Sequence, residues 1–135
     1  MYLSFHLNSP TDKVYDYLTE IEKFVSVHPI INKMEPTSEL NTYKVFETVK
    51  FGFIPYSFSY TATVSGDKEK NQVTIVATVR KMTKIEMIFN ITPTELGCQI
   101  EEEISINSPF PIKGYMNNLF SKQHQILFKN IDDAL

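Results

Sequence analysis

From residue 42 to residue 107 apolar side chains recur at every second position, and this alternation limits the fold more than any other feature of the chain. "TYKVFETVKF", "YSFSYTATVSG", "QVTIVATVRK", "KIEMIFNIT" and "CQIEEEISI" each put apolar residues on one face and polar residues on the other. That is the pattern of strands with one covered face. The breaks between them, "GFIP", "GDKEKN" and "PTELG", are turn-forming, so successive strands are expected to pair as hairpins. A short strand, "IINKME" (30–35), precedes this run across the turn "EPTSELN". "YLSFHL" (2–7) opens the chain with Leu3, Phe5 and Leu7 on one face.

Two stretches have the helical period instead. After Ser9-Pro10, read as N-cap and first helical residue, Val14, Tyr17, Leu18 and Ile21 form an apolar stripe, with Asp12 in the first turn. "IEKFVSV" continues it as a second short helix that stops at His28-Pro29. After "NSPFP", Ile112, Tyr115, Met116, Leu119, Phe120, Ile126, Leu127 and Ile131 mark a long amphipathic helix. The predicted order is one strand, two short helices, six strands and one long helix. This is an α+β layer structure with the last helix on the sheet.

The 135 residues suit a single domain, 1–135, large enough to enclose a core or a pocket. A net charge of -3 argues against a nucleic-acid partner. The only cysteine, Cys98, excludes an internal disulfide and suits a reducing compartment; it is read as a buried structural thiol. No basic n-region followed by an apolar run opens the chain, and no window is long and apolar enough to span a membrane. A cytoplasmic location is expected, as a monomer or homodimer. Three scattered histidines show no metal-ligand spacing, and no phosphate or dinucleotide loop and no nucleophile elbow is present, so neither metal nor cofactor is expected.

The opening strand, Ser9-Pro10, Val14, Tyr17-Leu18, Ile21-Glu22-Lys23-Phe24 and Pro29 together resemble the START-like, or helix-grip, superfamily (SRPBCC, Bet v 1-like). The bacterial polyketide cyclase/dehydrase-like branch is the nearest in character. Tyr15 stands where several relatives carry Trp, and Glu20 where they carry Asp. "EPTSELN" lacks the glycine-rich loop of the plant pathogenesis-related branch, and the absence of Trp separates the chain from the chaperone-activator branch. The resemblance implies a seven-stranded curved antiparallel sheet wrapped around the C-terminal helix in the order β-α-α-β6-α, with an apolar cavity between them. It also implies that "FGFIPY", "RKMTK" and "NSPFPIKG" cluster at one end of that cavity.

On this frame the expected ligand-binding lining is Val45, Phe58, Tyr60, Ile75, Met87, Phe89, Glu102, Ile104, Tyr115, Met116, Leu119, Phe120 and Gln123. Phe51, Phe53, Ile54, Met82 and Phe110 are expected at its mouth. Glu102, Glu47 and Tyr60 are the candidate catalytic residues, because a desolvated carboxyl is a useful proton carrier. The third strand is placed at the sheet edge, which makes Glu47 an edge carboxylate near water and leaves Glu102 as the inward acid of "IEEEI". Gln123 and Asn130 interrupt the last helix's stripe, as ligand contacts or as anchors to the sheet backbone. His124 is read as a boundary residue, His28 as a cap on helix carbonyls, and His6 as part of a polar face. The expected partner is a small hydrophobic molecule, lipid- or polyketide-like. A cyclase/dehydratase-type enzyme and a protein-interaction domain using the aromatic tip 51–56 are the alternatives.

Overall fold

The alternating segments pair in sequence order, and the first strand alone crosses to the far edge. In a computed structural model that describes residues 1–135, the side chain of Phe51 excepted, the strands are β1 (Tyr2–Leu7), β2 (Ile31–Pro36), β3 (Thr42–Phe51), β4 (Ile54–Asp67), β5 (Gln72–Val79), β6 (Thr83–Pro93) and β7 (Cys98–Asn107). The helices are α1 (Thr11–Thr19), α2 (Ile21–Val27) and α3 (Lys113–Asp133). The seven strands form one antiparallel sheet in the order β1-β7-β6-β5-β4-β3-β2. The edges are therefore β1 and β2. The expectation that β3 lies at the edge is wrong, because β2 pairs along it from Ile31↔Glu47 to Pro36↔Tyr43.

The β3–β4 hairpin is tighter than "GFIP" suggested. Phe51 and Ile54 still pair, and the turn is Gly52-Phe53 with Gly52 at φ 65°. Glycine meets that left-handed requirement without a Cβ penalty.

The core lies where α1, α2 and the second half of α3 meet the sheet. Val14, Leu18, Ile100, Leu127 and Ile131 are wholly buried, and Phe128 packs on Phe5 at 4.7 Å and edge-on to Phe89 at 5.9 Å. Each such side chain contributes roughly 1.5–3 kcal/mol by leaving water. Burial along α3 is uneven. His124, Leu127, Phe128 and Ile131 are buried, whereas Tyr115, Met116, Leu119 and Phe120 are only partly covered or exposed. The first half of the helix therefore stands over the sheet without filling the space beneath it.

Local chemistry differs from expectation at two junctions. Ser9 does not cap α1. Its hydroxyl donates to Asp132 Oδ1 at 2.6 Å, and the backbone N–H groups of Ser9 and Asn8 reach the same carboxylate at 2.9 and 3.2 Å. The end of α3 is thereby tied to the β1–α1 turn. His28 does not cap helix carbonyls either. Its Nδ1 accepts the N–H groups of Ile30 and Ile31, at 3.2 and 3.1 Å, and so shapes the entry into β2.

Candidate functional site

The uncovered space is a cavity of about 170 Å³ between the middle of the sheet and the first half of α3. It exists because two adjacent strands place alanines opposite one another: Ala62 of β4 pairs with Ala77 of β5, and both are buried and face the space. Larger residues at those positions would fill part of it. Of the expected lining, Val45, Phe58, Tyr60, Ile75, Met87, Phe89, Tyr115, Met116, Leu119, Phe120 and Gln123 surround the cavity. The end of α2 and strand β2 close one side with Phe24, His28, Ile31 and Met34.

Glu102 and Ile104 lie outside the lining. Ile104 is buried in the core where β7 meets the N-terminus, and its N–H bonds to Met1 O at 2.8 Å. Glu102 points inward from β7, between Glu101 and Glu103 on the other face, but its carboxylate is turned onto His124. It is 1% exposed, and its partner is a histidine.

Glu47 is likewise not an edge carboxylate. With β2 outside it, it is only 8% exposed and faces the cavity, where Tyr60 donates its hydroxyl to Oε2 at 2.6 Å. The register explains the contact: Val45 pairs with Tyr60, and Glu47 is the diagonal same-face neighbour two residues along β3. Burial raises the Glu47 carboxyl above its ordinary value, opposed chiefly by the Tyr60 hydrogen bond. Burial and the adjacent Glu47 hold the Tyr60 hydroxyl well above its ordinary value, so it remains a donor at neutral pH.

His124 is not a boundary residue. It is 4% exposed, lines the cavity, and lies between the rings of Phe89 and Phe120, at 6.0 and 5.3 Å. Its Nδ1 sits 2.7 Å from both oxygens of Glu102. Only Oε1 has hydrogen-bond geometry, and the buried Oε2 makes no hydrogen bond among the described residues. One residue earlier, Gln123 Oε1 is also buried without a partner. Asn130 anchors to Val27 O of α2 at 2.9 Å, not to the sheet. Burial lowers His28 to about 3, so its ring is neutral near pH 7.

Phe53, Ile54, Met82 and Phe110 are exposed, at 102, 71, 53 and 49%, and none of them lines the cavity. The Phe51 side chain lies outside the described residues. Tyr56 and Tyr115 both line the cavity and remain about half exposed, which marks them as its rim. Arg80 donates to the Tyr56 hydroxyl at 3.1 Å. Phe24 and His28, missed in the sequence, show their signal as an i, i+4 pair on the inner side of α2. Ala62 and Ala77 show theirs as small residues at aligned inward positions.

His6 is exposed on β1, as expected for a polar face. Cys98 is a buried free thiol, held above its ordinary value by burial and by the charge of Asp132. Among the described residues no group of three His, Cys, Asp or Glu side chains is placed to hold a metal ion. No helix among them is long and apolar enough to cross a membrane.

The family model for CoxG, a carbon monoxide dehydrogenase component, matches residues 4–92, which run from β1 almost to the end of β6. No curated protein matches the chain. Among solved structures, Ara h 8.0201 superposes with a TM-score of 0.77 at 15% identity, covering 98% of this chain and 93% of that one. A START superfamily protein from Mycobacterium smegmatis gives 0.73 at 13% identity, with 98% and 93% covered. The di-domain ARO/CYC StfQ from the steffimycin biosynthetic pathway gives 0.75 at 12% identity; the match covers 98% of this chain and 48% of that one. The fold is the START/Bet v 1-like helix-grip fold, as the opening helices implied.

Proposed function

This chain belongs to the CoxG family of carbon monoxide dehydrogenase components, and from that premise we propose that it binds one small, largely hydrophobic molecule beneath α3. The observation that carries this reading is the cavity over the paired alanines Ala62 and Ala77, apolar except for a few placed polar groups. Its size narrows the ligand. A cavity of about 170 Å³ compares with the roughly 150 Å³ that accommodates benzene in an engineered protein. The enclosed part of the ligand is therefore a single ring or a short branched chain, smaller than a lipid or a fused polyketide.

Magnitudes set what the polar groups must add. At roughly 24 cal/mol per Å³, filling about 170 Å³ recovers at most ~4 kcal/mol, which alone corresponds to millimolar affinity. Tighter binding requires the hydrogen-bonding groups on the wall. The test is native mass spectrometry and calorimetry with a panel of small aromatic and branched aliphatic compounds, on the wild type and on Ala77→Leu. The substitution should abolish binding while leaving the fold intact. Failure of the wild type to retain any of the panel, or unchanged binding by Ala77→Leu, refutes the reading.

A second reading, proton transfer on a bound substrate, is favoured by the buried Glu47–Tyr60 pair, in which burial holds the Glu47 carboxyl above its ordinary value. Carboxyl NMR titration decides it. A Glu47 value near the ordinary ~4.3 removes the acid–base role.

A further inference from the structure

We propose that the buried Glu102–His124 pair makes the cavity a receptor for a ligand hydroxyl of the phenol class, which donates its hydrogen bond to His124 Nε2. The proposal rests on the ligand-binding reading above and specifies the chemistry of the ligand.

A carboxylate only accepts, so the Nδ1 of His124 carries the proton that meets Glu102 at 2.7 Å. In the neutral ring the lone pair then belongs to Nε2. That nitrogen makes no hydrogen bond among the described residues, and the residue that bears it lines the cavity. Glu102 is 1% exposed, and His124 is its hydrogen-bond partner, so the charge of the carboxylate acts on the imidazole. A carboxylate behind one ring nitrogen fixes the tautomer and increases the basicity of the other. Glu102 is thus a positioning residue for an acceptor on a side chain of the cavity wall.

The rest of the wall selects the same partner. Gln123 Oε1 is a second buried acceptor without a donor, and the Tyr60 hydroxyl is already engaged with Glu47. Two buried acceptors on this wall, His124 Nε2 and Gln123 Oε1, call for a donor on the ligand. A hydroxyl answers this need without bringing in a charge, whereas an ammonium would face an imidazole rather than Glu102 itself. The rings of Phe89 and Phe120 flank His124 and suit an aromatic body carrying the hydroxyl.

Phenol and toluene are matched in size and differ in the donor, and calorimetry with both tests the proposal. The wild type should prefer phenol by about tenfold or more, the factor expected for a hydrogen bond to a charge-assisted acceptor. In Glu102→Gln the carboxylate charge that strengthens Nε2 as an acceptor is gone, whichever end of the amide faces Nδ1. The preference of phenol over toluene should then fall to near unity. The paired variant Glu102→Leu/His124→Phe, which leaves no stranded polar group, should bind toluene and lose the preference as well. Equal affinities in the wild type, a preference that survives both variants, or tighter binding of benzylamine than of phenol overturns the proposal and leaves cavity binding standing. Failure to bind either compound overturns both.

Discussion

Removing His124 alone should destabilise the protein far more than removing it together with Glu102. The pair is buried, with Glu102 1% and His124 4% exposed, and the imidazole is the carboxylate's hydrogen-bond partner. In His124→Phe the new ring fits among Phe89 and Phe120, but Glu102 becomes a buried charge with no donor. Breaking one side of such a pair costs about 3–5 kcal/mol, against a total stability of about 5–15 kcal/mol for an ordinary domain. Glu102→Leu strands a neutral Nδ1–H donor instead and should cost less, about 1–3 kcal/mol. The double variant replaces both groups with apolar side chains and should be near neutral, or more stable by ~1–4 kcal/mol. The losses of the two single variants should therefore greatly exceed that of the double variant. Urea unfolding measures this, provided the slope m is the same in all four proteins, so that the midpoint reports stability alone. A loss below about 1 kcal/mol in His124→Phe, or a double variant as unstable as the sum of the singles, would refute the burial argument.

Other perturbations have defined directions. His28 is lowered to about 3 against 6.5, so its stability contribution is complete above pH 6.5 and is lost as the pH falls toward about 3, because the unfolded chain takes up the proton first. His28→Asn, whose amide oxygen can accept the Ile30 and Ile31 N–H groups, should flatten the fall in melting temperature across that window; an unchanged slope contradicts the assignment. Glu47 has the opposite sign: its raised folded value means stability present in acid and lost as the pH rises through that value. Glu47→Gln can still accept the Tyr60 hydrogen bond, so it should melt higher than the wild type near pH 7 and lose that advantage in acid. Gly97→Ala should destabilise by roughly 1–3 kcal/mol, since its Cβ would overlap the backbone carbonyl of Leu7, which has no rotamer to escape into. Phe53→Ser with Ile54→Ser should leave thermal stability within about 0.5 kcal/mol, because both side chains are exposed.

Direction along a strand or helix is a local property, and that much is legible without the fold. The alternation that orients Val45, Tyr60 and Met87 inward follows from the pleat, and the stripe that orients Met116, Phe120 and Leu127 follows from the helical turn. Ser9 and His28 mislead because their nearest backbone groups are the obvious partners. In the fold, Asp132 from the far end of the chain takes the Ser9 hydroxyl, and the N–H groups beyond Pro29 take the His28 ring. Glu47 misleads for a similar reason. Its facing is plain from the alternation, but whether water reaches it depends on β2 pairing outside β3.

The pairing of Glu102 with His124 marks the limit most clearly. An inward carboxylate on β7 and a histidine near the stripe of α3 are visible as separate oddities, 22 positions apart. Only packing brings them to 2.7 Å, and only packing leaves Ala62 and Ala77 under a helix that does not descend to meet them. Backbone periodicity tells each side chain which way to point. Which two elements come close enough to share a proton, and where they leave a space, depends on how the layers settle against one another.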